Sequence, residues 1–598
     1  MKHFCIFLLF VAMQATAQGD DEVWLMDLPS RIDTDAISRD GRPDTWIAVD
    51  YEIDRGKGVM LFARGNSQAP RLSLPLGVSG WHEIRLGIYY GMGPGHVDDR
   101  VLGVKLSGDA SLNRIGRESY FTKDGSYPAK DFGFFDIAET LWKCADLTGQ
   151  DLVIGHPPRG EMAELESNLT YVRLVPMTDA DVQQWKEEQP TGKTKRLMAS
   201  YDAGSMRQWG VSSAEDFLAE FAPMRDSDFD IVTYGMARGS STLYPSKVGD
   251  LIQLRGAHER GKWVHACIDK GLDPLAEAIK AAHACGLRFF PRNRLAGPQL
   301  PPKHLRLDYG GKLLADHPEW FSTHPNGEPT RHLSFAFAGV RDFHVRLMRE
   351  WVEDYGADGV AVLFSRSQPF VYYEQPVCDA FEEEYGEDMR ELPVGDPRVQ
   401  RTRANFITQF LRDVRDMLDE VGAAQGRYIP NCYLVPVHNS PANKPPEAAE
   451  SSLAELLFNA LDVESWIREG LVDYLDVHLH MYGEHDGTAV MDKIREITSL
   501  AEGTETKVFV DIYPRRLPPR VYRKIALNYY DAGADGLAFW DTYNRYFRHS
   551  EWAFVKRLGH AQDLQRWEGK VDDYFRTVPL RRLDGFVTDQ VFSRPTDG

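Results

Sequence analysis

Two aspartates each stand at the end of a short apolar run in the last hundred residues of the chain. Asp511 ends the run "KVFVD" (507–511), and Asp541 ends the run "DGLAFWD" (535–541). Two carboxyl groups, one protonated and one ionised, can act as a general acid and as a base or nucleophile. Glycoside hydrolysis requires such groups about 5–5.5 Å or about 6.5–9.5 Å apart. Neighbouring strands lie about 4.8 Å apart, so we predict that Asp511 and Asp541 form a catalytic pair on adjacent strands.

Other polar side chains follow the remaining apolar runs of the same region. Glu374, in "YYEQP" (372–376), is a third candidate catalytic acid, carried by a loop. Aromatic rings stack on the apolar faces of sugars, and planar polar groups bond to sugar hydroxyls, so this mixture predicts a carbohydrate substrate. The candidate substrate-binding residues are Asp202, Tyr234, Arg292, Arg366, Asn431, His478, His480, Tyr482, Tyr513 and Trp540.

The segment "DVHLH" (476–480) suggests a different chemistry. Alternate residues of a strand point to the same side, so Asp476, His478 and His480 share one face. The H-x-H pair of His478 and His480 can bind a divalent metal, with Asp476 or Asp511 as a further ligand, which defines a metal-dependent hydrolase or deacetylase as an alternative function. Histidines at strand ends more commonly pack in a core or bond to a substrate. We therefore expect no metal and no cofactor.

The elements that must position these residues begin near Arg196. Apolar runs alternate there with amphipathic helical patterns as far as about residue 565, which predicts a (β/α)8 TIM barrel over 196–565. Functional residues of such barrels lie where the strands end, which is where the candidates above stand. The predicted strands are "RLMASYD", "FDIVTYG", "LRFFPRN", "DGVAVLF", "RYIPNCYL", "VDYLDVHLH", "KVFVDIYP" and "DGLAFWD".

The remainder of the chain has a different character. Residues 20–177 show short runs separated by Gly, Asp, Ser and Pro, which predict an all-β, jelly-roll-like sandwich that could bind carbohydrate. A polar linker is expected at 178–195, and a carboxyl-terminal tail at 566–598 that docks on either domain. Residues 1–17 combine Lys2, the apolar run "FCIFLLFVAM" and the small-residue site "ATA". This pattern predicts a signal peptide cleaved near Ala17 and export to the periplasm or the cell exterior.

Composition narrows the possible partners. The chain has 598 residues, 43% of them hydrophobic and 26% charged, which is ordinary for a globular protein. Its net charge of −20 argues against nucleic acid or an anionic membrane as a main partner. Beyond the expected signal peptide the cysteines are odd in number and have no C-x-x-C spacing, so we expect buried free thiols.

Four segments between about Asp273 and His478 resemble the glycosyl-hydrolase-like family ten. They are "LAEAIKAAHACGLRFFPR", "HPEWF" (His317–Phe321), "VRDFHVRLMREWVEDYGADGV" and "DVESWIREGLVDYLDVH". The resemblance implies a (β/α)8 domain of the glycosidase type and a carbohydrate substrate.

The fourth predicted strand departs from this family. Relatives have an acidic strand of the type "DGIxxDxxR", whereas this chain has Ala361 and Leu363 where acids are expected and keeps Arg366. The loss of an acid supports a further alternative, in which the barrel binds a carbohydrate without cleaving it. An active enzyme requires its acids on other strands, of which the seventh and eighth are the best candidates.

Overall fold

The computed structural model describes most of the chain. The described residues are 22–64, 67–89, 101–116, 137–155, 166–201, 206, 210–252, 259–295, 313, 315–365, 369–438, 451–480, 486–512, 517, 519–540, 549–572, 574–584 and 592–593. The expected signal peptide lies outside them.

Antiparallel strands form the amino-terminal region, as the runs of alternating apolar residues predict. They pair in three sheets with the orders β1-β12-β6-β9, β5-β10-β7-β8 and β11-β4-β3, with β2 beside β3. Buried residues such as Leu86 and Val172 pack between them. The strands are β1 Val23–Leu25, β2 Ile37–Ser38, β3 Trp46–Ile53, β4 Gly56–Ala63, β5 Leu72–Pro75, β6 Trp81–Tyr89, β7 Val101–Leu106, β8 Asn113–Gly116, β9 Ile137–Asp146, β10 Asp151–Gly155, β11 Ser167–Leu169 and β12 Tyr171–Pro176.

The segment expected to be a linker contains a helix, α1 (Asp179–Glu187). Thr178 and Asp181 form a capping box, in which each side chain accepts a hydrogen bond from the other's backbone N–H, at 3.2 Å and 2.9 Å. The ring of Trp185 on α1 packs against that of Trp81 on β6, with 4.9 Å between the ring centroids. The capping box starts this helix, and the Trp–Trp contact attaches it to the first sheet.

Beyond α1, eight parallel strands close into a barrel in the order β13-β24-β23-β22-β21-β20-β17-β14, with β14 pairing back to β13. The expected architecture, an all-β region followed by a (β/α)8 barrel, is therefore confirmed. The strands of this region are β13 Leu197–Tyr201, β14 Phe229–Arg238, β15 Ser241–Thr242, β16 Asp250–Leu251, β17 Arg288–Arg294, β18 Phe321–Thr323, β19 Pro329–Leu333, β20 Val360–Leu363, β21 Asn431–His438, β22 Tyr474–His480, β23 Lys507–Asp511 and β24 Gly536–Trp540.

Helices surround the barrel and bury their apolar faces against its strands. The longest of those described, α7 (Pro397–Gln425), is preceded by Asp396, whose side chain accepts the N–H of Arg398, and is followed by Gly426 in the left-handed conformation with φ of 67°. The helices are α2 Ala214–Phe221, α3 Glu259–Asp269, α4 Pro274–Ala284, α5 Ala338–Glu353, α6 Gln375–Tyr385, α7 Pro397–Gln425, α8 Ser452–Phe458, α9 Val463–Arg468, α10 Met491–Ala501, α11 Pro519–Asp531 and α12 His549–Val555.

The carboxyl-terminal tail returns to the amino-terminal sheets. Its strands are β25 (Phe575–Val578), β26 (Leu580–Leu583) and β27 (Phe592–Ser593). β25 extends the first sheet beside β9, and β26 pairs with β3 and β27. Arg576 on β25 forms an ion pair of 2.7 Å with Glu139 on β9, whose side chain is fully buried. The tail is thus a structural part of the amino-terminal region.

Two sequence expectations concern thiols and membrane spans. Cys267, Cys285, Cys378 and Cys432 are buried free thiols, and Cys144 is a half-buried free thiol, as expected from their scattered spacing. In the described part of the chain, no helix has the length and apolar character needed to span a membrane.

Candidate functional site

The barrel interior is filled by layers of side chains from all eight strands. One layer is apolar: Met198, Ile231, Phe290, Ala361, Cys432, Phe509 and Ala538 pack together with Tyr474. Two residues further along each strand, the side chains point inward again and form the next layer toward the carboxyl end. That layer consists of Ser200, Thr233, Arg292, Leu363, Leu434, Asp476, Asp511 and Trp540. Its charged groups make it the candidate active-site layer.

Asp511, the last residue of β23, has both carboxylate oxygens engaged. Oδ2 accepts a short hydrogen bond from Nδ1 of His478, which the strand pairing places directly opposite Asp511. Oδ1 accepts the backbone N–H of Trp540 at 2.9 Å. Asp511 and His478 are 1% and 3% exposed. Asp511 therefore acts as a fixed acceptor that orients His478, an arrangement that sets the tautomer of the imidazole.

Asp476, on β22, lies beside Asp511 and has a different environment. It is 1% exposed, and its Oδ1 has no hydrogen-bond partner among the residues that the structure describes. Burial, and next the charge of Asp511, raise the pKa of Asp476 well above its usual value, while Arg292 opposes the shift. The two neighbouring carboxyls are therefore distinguished by their surroundings, with Asp476 the one that favours a proton.

Arg292, on β17, is a fully buried guanidinium that links three strands of this layer. It donates to the hydroxyl of Ser200, to Thr233 Oγ1 at 3.5 Å and to the carbonyl of Tyr201 at 2.5 Å. Its Cζ lies 5.4 Å from the ring centroid of Trp540. It also acts electrostatically on Asp476. Arg292 thus provides the positive charge of a layer that contains two carboxyl groups.

Trp540 and the fourth strand form the apolar side of the same layer. Trp540 packs with Leu363 and Leu434, and its ring centroid lies 4.7 Å from that of His478. Ala361 and Leu363, where the resemblance implies acids on the fourth strand, both face the barrel interior, one in each layer. Two residues further on, Ser365 is fully buried, and its Oγ has no partner among the described residues. The fourth strand therefore contributes an apolar wall where the resemblance implies a carboxylate.

Glu374 lies in the loop after β20 and is bonded away from this layer. Its carboxylate accepts hydrogen bonds from the hydroxyl of Ser322, from Thr323 N at 3.1 Å and from Tyr372 N at 2.8 Å. Burial raises the pKa of Glu374, although the hydrogen bonds that it accepts oppose this shift. The carboxylate of Glu374 therefore holds β18 against the loop after β20.

Two expected binding residues lie elsewhere than at the mouth of the barrel. Asn431 is the first residue of β21, so it lies at the amino end of its strand; its Nδ2 donates to Leu471 O at 3.0 Å. Tyr234 points outward from β14, because its neighbour Thr233 points inward, and it stacks on Tyr201 with 5.1 Å between the ring centroids. The structure therefore places Asn431 and Tyr234 away from the inward layer at the carboxyl end of the barrel, and a role of either residue in sugar binding stays a prediction.

Several candidates lie outside the described residues. They are Asp202, Arg366, Tyr482, Tyr513 and Asp541. Of His480 only the backbone is described, as the last residue of β22. The roles assigned to these residues remain predictions.

The sequence pattern did not reveal that Asp476 lies close enough to Asp511 for the charge of Asp511 to raise its pKa. The interpretation of the sequence assigned Asp476 only to the metal alternative, and it did not single out Ser200 or Thr233. The signal was available, because inward positions recur every second residue and Asp476 stands two residues before His478 on β22. In the described part of the chain, no group of three or more His, Cys, Asp or Glu side chains is arranged to hold a metal ion.

Comparison with solved structures gives distant likenesses only. An alpha-L-fucosidase isoenzyme 2 from Paenibacillus thiaminolyticus matches at 13% identity and a TM-score of 0.38, over 63% of this chain and 50% of that one. A cycloisomaltooligosaccharide glucanotransferase from Paenibacillus sp. matches at 11% identity and a TM-score of 0.34, over 78% and 52%. An endo-beta-1,4-mannanase from Thermotoga petrophila matches at 12% and 0.36, over 62% and 77%. The chain therefore spans about half the length of the first two.

The family assignment depends instead on sequence. No curated protein matches the chain. A family model described as glycosyl hydrolase-like 10 matches residues 215–520, from α2 to the start of α11, which is just over half of the chain and includes Arg292, Asp476, His478 and Asp511. This match confirms the resemblance noted in the sequence. The chain belongs to the glycosyl hydrolase-like 10 family.

Proposed function

We propose that this protein is an exported glycoside hydrolase that cleaves a poly- or oligosaccharide with a pair of carboxyl groups at the carboxyl end of its barrel. Family membership supports the reaction class, and the segment at residues 1–17 supports export. The observation that carries the proposal is the contrast between Asp476 and Asp511. One carboxyl is buried in a way that favours its protonated form, and the other accepts two hydrogen bonds as an ionised carboxylate does.

Such a contrast is what an acid–base pair requires. A glycosidase acid must keep its proton near neutral pH until it protonates the leaving oxygen, and its partner must be ionised to attack or to activate water. Asp511 and His478 form the ionised and orienting side of the proposed site. The second carboxyl is either Asp476, which lies beside Asp511, or Asp541, which directly follows Trp540 in the sequence.

Single substitutions test the proposal and distinguish the two carboxyls. Wild type, Asp511→Asn, Asp476→Asn and Asp541→Asn are assayed on a panel of aryl glycosides and polysaccharides, with folding checked by circular dichroism. We expect wild type to hydrolyse at least one substrate and Asp511→Asn to lose the activity. Whichever of Asp476→Asn and Asp541→Asn also loses it identifies the second carboxyl. Activity that survives all three substitutions would refute the proposal.

A second candidate function is carbohydrate binding without cleavage. The observation that favours it is Leu363, which packs against Leu434 and Trp540 in the position where an acid is expected. Binding of a polysaccharide by wild type, with no reducing ends released over days and no change in affinity in Asp511→Asn, would support this function. Treatment with EDTA in the same assay tests the metal-dependent alternative, which requires activity to be lost on chelation and restored by a divalent metal.

A further inference from the structure

A cleft lies where the amino-terminal sheets, α1 and the end of α12 meet. Its inner part has a volume of about 170 Å³ and is lined by β9, by the segment after α2 and by residues at the end of α12. An adjoining part of about 360 Å³ shares Cys144, Trp185 and Arg557 with it. None of the residues discussed for the barrel layer lines either part.

The inner part of the cleft is positively charged, although the whole chain carries a net charge of −20. Four basic residues line it against two acidic ones, which are Asp109 and Asp226. Most of the basic groups have partners. Lys143 forms an ion pair of 2.6 Å with Asp109, and Arg557 contacts Glu188 at 3.4 Å. Arg225 donates to the carbonyl of Ala284 at 3.3 Å.

Lys556 is the exception. Its backbone is fixed at the end of α12, where its N–H bonds to Trp552 O at 3.2 Å and its carbonyl accepts Asp228 N at 2.8 Å. Its ammonium makes no hydrogen bond or ion pair with any residue that the structure describes. Burial, with a smaller effect from Arg557, lowers the pKa of Lys556 to about 8. An ammonium has three donors, and this one stands at the wall of the cleft with no partner among the described residues, so it is available to bind an anion.

Aromatic rings line the same cleft as Lys556. Trp142, Trp185 and Trp552 line the inner part of the cleft, and Tyr574 lines the outer part. Trp185 is half-buried, packs on Trp81 and lines both parts, so it borders the path between them. An indole beside a cation suits a ring that has an apolar face and an attached carboxylate. Neutral sugars would use the indole but not the ammonium.

We propose that this cleft is a second saccharide site that binds a carboxylate-bearing sugar unit, with Lys556 bonding to the carboxylate and Trp185 stacking on the sugar ring. The site lies apart from the barrel layer, so it does not depend on the barrel being catalytic. Its ligand is defined by chemistry: a uronic acid, or another sugar with a carboxylate substituent.

Binding measurements with three probes test the site. Sodium glucuronate, glucose and sodium acetate are titrated into wild type and into Lys556→Gln at pH 6.5, with thermal shift and isothermal titration calorimetry as readouts. Lys524→Gln is the matched control, because Lys524 is paired with Asp486 on the outside of the barrel. We expect glucuronate to bind wild type and the control equally, and at least tenfold more weakly to Lys556→Gln. Glucose and acetate should each bind at least tenfold more weakly than glucuronate.

The Lys556→Gln variant should fold, because the substitution removes a charge that has no partner among the described residues. Its melting temperature without ligand should equal or exceed that of wild type. A second variant, Trp185→Ala, should weaken glucuronate binding and leave acetate binding unchanged. The proposal is overturned if wild type and Lys556→Gln bind glucuronate equally. It is also overturned if wild type binds no glucuronate at about 50 mM, a concentration at which even a weak sugar site is occupied. Acetate binding as tightly as glucuronate would show a simple anion site and overturn the saccharide assignment.

Discussion

The imidazole of His478 donates from Nδ1 to the carboxylate of Asp511, and the register of β22 and β23 sets these residues opposite each other. The same carboxylate accepts the backbone N–H of Trp540, so it cannot rotate without losing one of these bonds. In the neutral imidazole, a proton held on Nδ1 makes Nε2 the acceptor atom. Asp511 therefore determines both the orientation of His478 and which of its nitrogens can take up a proton.

We expect Asp511→Asn to reduce kcat/KM by about 100-fold or more, because the amide cannot hold His478 in the same way. Steady-state assays on the best substrate of the panel measure the change. Asp473→Asn is the matched control: this aspartate also lies in the barrel, but near its amino end, where it accepts Asn431 N at 2.8 Å. The control should lower the melting temperature while leaving kcat/KM of the folded fraction within about threefold. Equal losses of activity in both variants would indicate a structural role for Asp511.

We expect the stability of Asp476→Asn relative to wild type to rise with pH. The raised pKa means that the folded protein holds a proton at Asp476 which the unfolded chain has released. This proton contributes stability that is fully present below the ordinary pKa of 3.8 and is lost as pH rises toward the folded value. Asparagine has no such dependence. Urea unfolding at pH 5, 6.5 and 8 measures the difference, and the exposed Asp492→Asn should run parallel to wild type. A constant difference for Asp476→Asn would contradict the expected protonation.

Restoring an acid on the fourth strand should not restore chemistry. Leu363→Asp places a third carboxyl in a layer that already contains Asp476 and Asp511 with Arg292 as the cation. We expect a loss of about 3–5 kcal/mol in the free energy of unfolding and no gain in hydrolysis. Leu363→Met, which keeps the volume, should cost less than about 1.5 kcal/mol. Chemical denaturation and the glycan assay measure both effects. Increased hydrolysis by Leu363→Asp would show that the fourth strand is still arranged for an acid.

The sequence was sufficient to predict the barrel, because both faces of its strands are buried and the apolar runs are therefore continuous. The ends of strands were predicted less accurately where a proline interrupts an apolar run. The fifth strand was expected to end at Leu434, but it continues through Pro436 to His438, which moves Asn431 from the carboxyl end to the amino end. The acid that the resemblance implies on the fourth strand could be recognised as absent, and the structure shows that Leu363 occupies the interior position.

The candidate site was predicted less completely, because proximity across strands depends on register. Asp511, His478, Trp540 and Arg292 were all identified from their positions at strand ends. Asp511, Trp540 and Arg292 lie in one layer, and His478 contacts Asp511 and Trp540 from β22. The electrostatic effect of Asp511 on Asp476 depends on which residues of the two strands share a layer and on how deeply they are buried. The apolar pattern of the sequence specifies neither. Tyr234 illustrates the same limit, since a residue near a strand end can face the helices.

The contact between the tail and the amino-terminal region gives a further prediction. Arg576→Gln removes an ion pair of 2.7 Å and a hydrogen bond of 2.9 Å to the fully buried Glu139. We expect a loss of about 1–3 kcal/mol, since the arginine is itself half exposed while the carboxylate is not. Arg581→Gln is the control from the same tail, because its partner Asp54 is exposed and the pair should contribute at most about 1 kcal/mol. Thermal unfolding measures the stability of both variants. Equal losses of stability would contradict the expectation that the ion pair with the buried Glu139 contributes more than the exposed pair.

The return of the tail also constrains the order in which the chain can fold. Arg576 meets Glu139 across 437 residues of sequence, and β25 and β26 pair with strands that are synthesised before the whole barrel. Domains commonly fold as units, starting from the amino terminus during synthesis. Here, however, β9 and β3 each lack one neighbouring strand until β25 and β26 have been synthesised. Such edges can pair with other chains in the meantime. These strand edges therefore remain exposed while more than four hundred residues are synthesised. A chain released before β25 is made would keep the exposed edges and would be prone to aggregate.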